Sequence, residues 1–270
     1  MQSNDNSKSV DTMLGNPKKA LISMSIPLII SLLITSFYNL IDAAWVSGLG
    51  ADALAGVGFF TPVFMILVGF GNGLGSGAAF AISKYIGEEN KIKADNASIH
   101  SILIDIILSI IITILLLIFL NPILSLMGAG QTIGYATDYG VIILAGSIFI
   151  ILSNALYGIF RGEGDTKRSM YAMIASAILN MILDPIFIYT LKLGVKGAAI
   201  ATLISAIFVI LILIYWFYIK KDTYLKPNLS NFKYEKGIST DIVKVGIPAS
   251  IQLLNNAFFA AVFSALLAFV

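Results

Sequence analysis

Seven apolar runs, each long enough to cross a bilayer as a helix, dominate the sequence: residues 21–45, 53–82, 99–120, 134–160, 169–191, 197–219 and 245–270. A helix rises about 1.5 Å per residue, so roughly 20 apolar residues span a hydrocarbon core of about 30 Å. The runs are continuously apolar rather than alternating every second residue, which excludes a transmembrane β-barrel. The first follows about twenty polar residues and has full spanning length, unlike the short apolar core of a cleavable signal peptide. Charged residues make up 12% of the chain and hydrophobic ones 58%, too little charge to clothe a soluble globule of this size. The expected fold is therefore an all-α integral membrane bundle.

Lys and Arg are sorted between the connections. Lys8, Lys18 and Lys19 precede the first span. Lys84, Lys91 and Lys93 join the second to the third. Arg161, Lys167 and Arg168 join the fourth to the fifth, and Lys220, Lys221, Lys226, Lys233, Lys236 and Lys244 join the sixth to the seventh. The alternate connections hold only Lys192 and Lys196. By the positive-inside rule the N-terminus is cytoplasmic, in a cell membrane crossed many times. This sorting leaves no basic patch for nucleic acid.

Residues 26–33 and 247–254 match at five of eight positions at an offset of 221, with Pro27 paired to Pro248 and Phe37 to Phe258. Six spans separate the copies, so the repeats run parallel across the membrane, as in transporters built from two six-span halves. The expected organisation is a cytoplasmic segment 1–20, a six-helix lobe 21–219, a Lys-rich inter-lobe linker 220–244 containing Pro227, and residues 245–270 as the first helix of a second lobe. The charge-free run ending at Val270 has no polar flank, and the second repeat has only begun there. A longer parent chain that supplies the rest of the C-terminal lobe is expected.

Asp42, Asp105 and Asp184 lie within spans, where a charge costs roughly 2.5–3.5 kcal/mol on insertion scales. Counted along their helices, Asp42 lies about 24 Å outward from Ile26 and Asp184 about 21 Å outward from Met170. Asn180 shares a face with Asp184 one turn deeper. Thr202 and Tyr139 each sit about 7.5 Å inside the outer start of their spans. Five polar groups from four helices thus meet one level in the outer half of the membrane. Two desolvated carboxyl groups can hold a proton between them, or the same oxygens can coordinate a hard cation such as Na⁺. Asp105, with His100 a turn and a half before it, lies near the cytoplasmic end of the third span and either points into the lobe or snorkels. Asn154 falls on the cytoplasmic side of the layer, and Gln252 and Asn255 are candidates to line a cleft between lobes.

Pro27 and Pro185 each remove a backbone donor and can kink their helices, Pro185 directly after Asp184. Gly69, Gly73 and Gly77 form small-xxx-small steps for close helix approach. No Gly-Lys-Ser/Thr follows this run, so it is not a phosphate loop. With no cysteine and one histidine, thiolate and histidine-cluster metal sites are excluded, and no nucleophile, base and orienting group can be assembled into an enzyme site. No cofactor is implied.

The stretch Tyr38-Asn39-Leu40-Ile41-Asp42-Ala43-Ala44-Trp45-Val46-Ser47-Gly48-Leu49-Gly50, then Ala53-Leu54-Ala55-Gly56, resembles the opening of the multidrug and toxic compound extrusion (MATE) family. Arg161-Gly162-Glu163-Gly164-Asp165-Thr166-Lys167, Asn180-Met181-Ile182-Leu183-Asp184-Pro185 and Gly194-Val195-Lys196-Gly197-Ala198-Ala199-Ile200-Ala201-Thr202 continue the likeness in order. The acidic pair is similar to that of the prokaryotic branch containing DNA-damage-inducible relatives. The resemblance implies two six-helix lobes and export of organic, amphipathic cations against inward H⁺ or Na⁺. It places ion coupling on Asp42, Asn180, Asp184 and Thr202, makes Tyr139 a supporting partner, and makes Pro27 a point of bending. Two rivals are a flippase of lipid-linked precursors or other anions, which an Arg- or Lys-rich cavity would favour although no span here contains either residue, and a truncated membrane protein that does not transport.

Overall fold

The computed structural model describes residues 8–268, which form nine α-helices, with no strand among them. They are α1 (Lys8–Leu14), α2 (Pro17–Ser47), α3 (Ala51–Gly87), α4 (Lys91–Leu126), α5 (Ile133–Ala145), α6 (Ser147–Gly162), α7 (Thr166–Pro185), α8 (Val195–Ile214) and α9 (Lys236–Ala268). Residues 1–7 of the expected N-terminal segment and the last two of the seventh run lie outside the described residues. The basic connections gather at one end of the bundle, called here the basic end.

Each apolar run becomes helical because the backbone must satisfy its own donors and acceptors in hydrocarbon. Among the described residues five single helices are long and apolar enough to cross a membrane, and the bent pair α5 and α6 makes a sixth. α3 has 37 residues, about 55 Å at helical rise, and outruns the expected span 53–82 at the basic end. α4 shows how such helices are oriented. Ile107, Ile110, Ile111, Ile114 and Ile118 are exposed on its outer side, while Ser101, Asp105 and Ser109 are buried, so its apolar face meets lipid and its polar face the interior. Asp105 therefore points into the bundle and does not snorkel; neither carboxyl oxygen has a hydrogen-bond partner among the described residues.

The glycines of α3 serve two neighbours. A Cβ on Gly73 or Gly77 would press on Ser250 or the Ile242–Gly246 backbone of α9, and one on Gly69 would just touch Leu253. A Cβ on Gly71 or Gly75 would press on Ile151, Asn154 and Ala155 of α6. Residues four apart share one face of a helix and the intervening pair lies on another, so a glycine at every second position opens both sides. The seventh run thus lies along α3, in contact with the helices that precede it.

The fourth run, read from the sequence as one span 134–160, is broken. α5 and α6 meet at Gly146 with a bend of 57°. Gly146 lies against the Leu203 side chain, which any larger residue would strike, and the hydroxyls of Thr113 and Ser147 meet beside the break. Pro185 also has a visible effect. α7 ends there and widens into a π turn, Ile186–Thr190, in which Leu191 N–H reaches back to the Ile186 carbonyl at 2.8 Å. At Pro27, by contrast, α2 runs on as one helix, and Ser31 Oγ donates to the Pro27 carbonyl at 2.8 Å.

The linker 220–235 is docked at the basic end. Asn96 Nδ2 donates to the Lys233 carbonyl at 2.6 Å, and Asp95 Oδ1 accepts from Lys226 N–H at 2.8 Å. Glu235 N–H donates to His100 Nε2 at 3.0 Å; a backbone amide can only donate, so the proton of this neutral ring sits on Nδ1, which bonds the Asn96 carbonyl at 2.9 Å. The His100 ring lies beside Phe232 and Tyr234. α1 is a further addition to the segment 1–20, with Val10 fully buried and the Ser9 carbonyl close to Gly164, which turns with φ +80°.

Glu163, in the turn after α6, accepts Leu225 N–H at 3.1 Å, and burial pushes its carboxyl up to about 8 from an ordinary 4.5. The folded state then holds this proton more tightly than the unfolded chain, so stability from Glu163 is complete below about 4.5 and declines as pH rises towards about 8. Glu163→Gln keeps a neutral acceptor for Leu225. Its melting temperature in detergent is expected to match wild type near pH 5 and to exceed it near pH 8; a constant gap across that range would show that this carboxyl does not titrate between them.

Candidate functional site

A cavity of about 830 Å³ opens among α2, α3, α5, α6, α7 and α8. On α2 its lining runs from Leu28 to Val46, about 27 Å at helical rise, so it is a long slot. Aliphatic and aromatic side chains such as Phe60, Phe64, Met65, Val68 and Met173 form most of its wall, as expected for a site that takes apolar molecules.

At the end away from the basic end, the slot meets the acidic layer. α2 brings Asp42 to it, α7 brings Asn180 and Asp184 one turn apart on one face, α8 brings Thr202, and α5 brings Tyr139. All five sequence-derived residues converge. Asp184 is 0% exposed and Asn180 1%, whereas Asp42 is partly open to the cavity. With its amide nitrogen turned to Asp184, Asn180 donates to Asp184 Oδ2 at 2.8 Å and accepts Thr202 N–H through its oxygen at 3.2 Å, tying α7 to α8. The Asp42 and Asp184 carboxyl groups lie within hydrogen-bonding reach of each other.

Three oxygens at this level have no hydrogen-bond partner among the described residues: Asp42 Oδ1, Asp184 Oδ1 and Thr202 Oγ1. Unpaired buried oxygens carry a desolvation cost, and three of them from three helices is an arrangement that a proton or a hard cation relieves. The donor set is oxygen only, which suits H⁺ or Na⁺ better than a transition metal. Among the described residues no group of three or more His, Cys, Asp or Glu side chains is placed to hold a metal ion.

Tyr38 is a neighbour that sequence reasoning missed. It sits one turn before Asp42, and its hydroxyl and that of Tyr139 flank Thr202. The signal was its spacing of four residues from Asp42, which places both on one face. Tyr139 stacks edge-on against Phe60 at 5.5 Å, which holds its ring in position. Asn154, set apart from the layer by depth, nonetheless lines the slot, and so does Arg161. The sequence reading left both outside the site, and Arg161 corrects the expectation that no cationic side chain belongs to the cavity. Pro185 abuts the site through the π turn that follows Asp184. Gln252 and Asn255 are exposed along α9, outside this cavity.

The MatE family model matches residues 27–186. The multidrug export protein MepA of Staphylococcus haemolyticus (strain JCSC1435) is 32% identical over 238 residues, 87% of this chain and 52% of that protein. Its namesake from Staphylococcus aureus (strain NCTC 8325 / PS 47) is 32% identical over 252 residues, 93% of this chain and 56% of the relative. Among solved structures, a MOP superfamily transporter from Pyrococcus furiosus, described as having a binding pocket of reverse polarity that suggests a different function, is 44% identical with a TM-score of 0.89. It is matched over 92% of this chain and 55% of its own. A MATE crystal structure in a bent conformation gives 44% identity and a TM-score of 0.88 over 92% of this chain and 56% of that one.

The fold is that of a multi-pass α-helical membrane protein, shared with these solved structures. The chain belongs to the MATE family. It spans about half the length of the relatives it matches.

Proposed function

We propose that this bundle serves a secondary antiporter that exports amphipathic organic compounds, cationic ones among them, in exchange for H⁺ or Na⁺. The observation that carries the reading is the joining of an apolar 830 Å³ slot to a layer holding two facing carboxyl groups and three unpaired oxygens. A cationic cargo and the coupling ion compete for the same negative charge, which links their binding in opposite senses. Bound H⁺ or Na⁺ neutralises Asp42 and Asp184 and lets α2 and α7 close on each other. An empty, charged layer holds them apart or draws a cation in from the slot. Asn180 and Thr202 supply the neutral oxygens of the coordination, and Tyr38 and Tyr139 border the layer beside Thr202. Pro27 and the π turn after Pro185 are the places where α2 and α7 bend.

Orientation follows the charges, with the basic end cytoplasmic. Residues 21–219 then form the N-terminal lobe, and α9 begins a C-terminal lobe like that of the longer relatives. MepA is named a multidrug exporter, which supports the cargo class.

A second reading, export of anion-bearing amphiphiles such as lipid-linked molecules, is favoured by one observation, the presence of Arg161 in the slot. The test is ethidium efflux from proteoliposomes under an imposed pH gradient, then under an imposed Na⁺ gradient. Acceleration by one gradient names the ion. Efflux that neither gradient accelerates, from correctly inserted protein, would overturn the antiport reading.

A further inference from the structure

Arg161 lies in the last turn of α6, and its side chain lines the basic end of the slot. Its Nη2 would lie 3.4 Å from a Cβ on Gly75, ordinary van der Waals contact, so the guanidinium rests beside the bare backbone of α3. Asn72, Asn154, Tyr157 and Ser205 line the slot with it.

No carboxylate pairs with this guanidinium, and no hydrogen bond leaves it, among the described residues. The nearby acids are already engaged. Glu163 accepts Leu225 N–H at 3.1 Å. Asp165 caps α7 and pairs with Arg168 Nε at 3.3 Å, and Asp222 pairs with Arg168 Nη2 at 2.9 Å and with Lys220 Nζ at 3.1 Å. Of the two arginines that border the same connection, Arg168 has two acidic partners, whereas Arg161 faces the slot with no acidic partner among the described residues, the acid that lines it, Asp42, lying at the far end. A guanidinium stays charged at any accessible pH and offers five N–H donors in a planar fork suited to carboxylate and phosphate. Partly withdrawn from water without a partner, it favours an anion brought by a ligand.

The slot therefore has two poles. The acidic layer lies at one end and Arg161 at the other, roughly 20 Å apart from the 18 residues between Thr166 and Asp184 on α7 less the reach of the arginine. We propose that Arg161 is an anion-binding subsite that takes the carboxylate or phosphate of an amphipathic cargo, the apolar body lying against Met173, Val209 and their neighbours. The proposal rests on the slot being the cargo site and extends the cargo class from cations to zwitterions and anionic amphiphiles.

The test is equilibrium binding to the purified full chain in detergent, read by fluorescence polarisation. Two probes share one xanthene body: rhodamine 110, with a free carboxylate, and rhodamine 123, its methyl ester. Arg161→Gln is expected to weaken rhodamine 110 about tenfold, the effect of losing a charge-assisted pair, and to change rhodamine 123 less than twofold. Arg161→Lys is expected to recover part of the loss. Equal weakening of both dyes, or of neither, would overturn the assignment, as would failure of either dye to bind wild type.

Competition on the wild-type chain needs no variant to fold. Inorganic phosphate and dihexanoyl phosphatidylglycerol are each titrated against rhodamine 110. Displacement by either supports the subsite, and the stronger competitor names a free anion or a lipid headgroup as the source. Displacement by neither overturns it. The subsite is read from the difference between the two dyes in Arg161→Gln, and ion coupling from the gradient dependence of efflux, so a failure of either gives a different result.

Discussion

Asp184→Asn is expected to lower gradient-driven efflux by at least about tenfold while leaving the melting temperature in detergent close to wild type. The substitution keeps the shape of the side chain and a partner for Asn180, which now donates to Asp184 Oδ2 at 2.8 Å. What it removes is the charge facing Asp42, and with it the alternation between a neutralised and an ionised layer. Asp184 is 0% exposed and is bordered by unpaired oxygens on α2 and α8, so no bulk solvent stands in for the lost charge. Asp105→Asn is the matched comparison, since it also neutralises a buried acid with unpaired oxygens, but one on α4 and outside the slot lining. It is expected to leave coupling unchanged. Efflux is measured in proteoliposomes with each gradient in turn. Retention of gradient dependence in Asp184→Asn, or its loss in both variants, would remove the acidic layer from the mechanism.

Hydropathy made the spans legible because hydrocarbon forces the backbone into helices wherever the side chains allow burial. It could not show the break at Gly146, where an apolar run continues on both sides and the bend is set by Leu203 and by the Thr113–Ser147 contact from other helices. The end of regular α-helix at Pro185, followed by the π turn Ile186–Thr190, has its cause in the residue itself, which lacks an N–H. Asp42, Asn180, Asp184 and Thr202 could be placed at one depth by counting residues, because a charge or amide in a span demands a partner. Tyr38 escaped because a tyrosine in an apolar run carries no such demand. Arg161 was read as part of a positive connection. Its long stem carries the charge back from the helix end into the slot beside Gly75 of α3, a placement that no count along one helix reveals. The docked linker was equally hidden, since its polarity reads as a solvated joint, while its hold comes from Asn96, His100 and Glu163 on distant turns.

Gly158→Ala is expected to destabilise the bundle by about 3 kcal/mol or more, at or beyond the upper end of what overpacking usually costs. Gly158 of α6 and Gly75 of α3 meet backbone to backbone, and an added methyl would strike the Gly75 carbonyl and Cα rather than the end of a movable side chain. A Cβ at Gly75 in turn would lie 2.8 Å from the Asn154 carbonyl, so neither helix can yield without the other. Separation of α3 from α6 would also reach the slot, because Asn154 and Arg161 ride on the same helix and line it. Weaker rhodamine 110 binding should therefore accompany the lower melting temperature. Gly58→Ala gives the contrast. Gly58 is also in α3, with nothing within 4 Å of an added Cβ and a φ that any residue adopts, so alanine there is expected to be neutral or to stabilise by up to about 1 kcal/mol. Thermal unfolding followed by the fluorescence of Trp45 and Trp216 separates the two outcomes. Equal tolerance of both substitutions would mean that α3 and α6 do not approach as closely as their glycines allow.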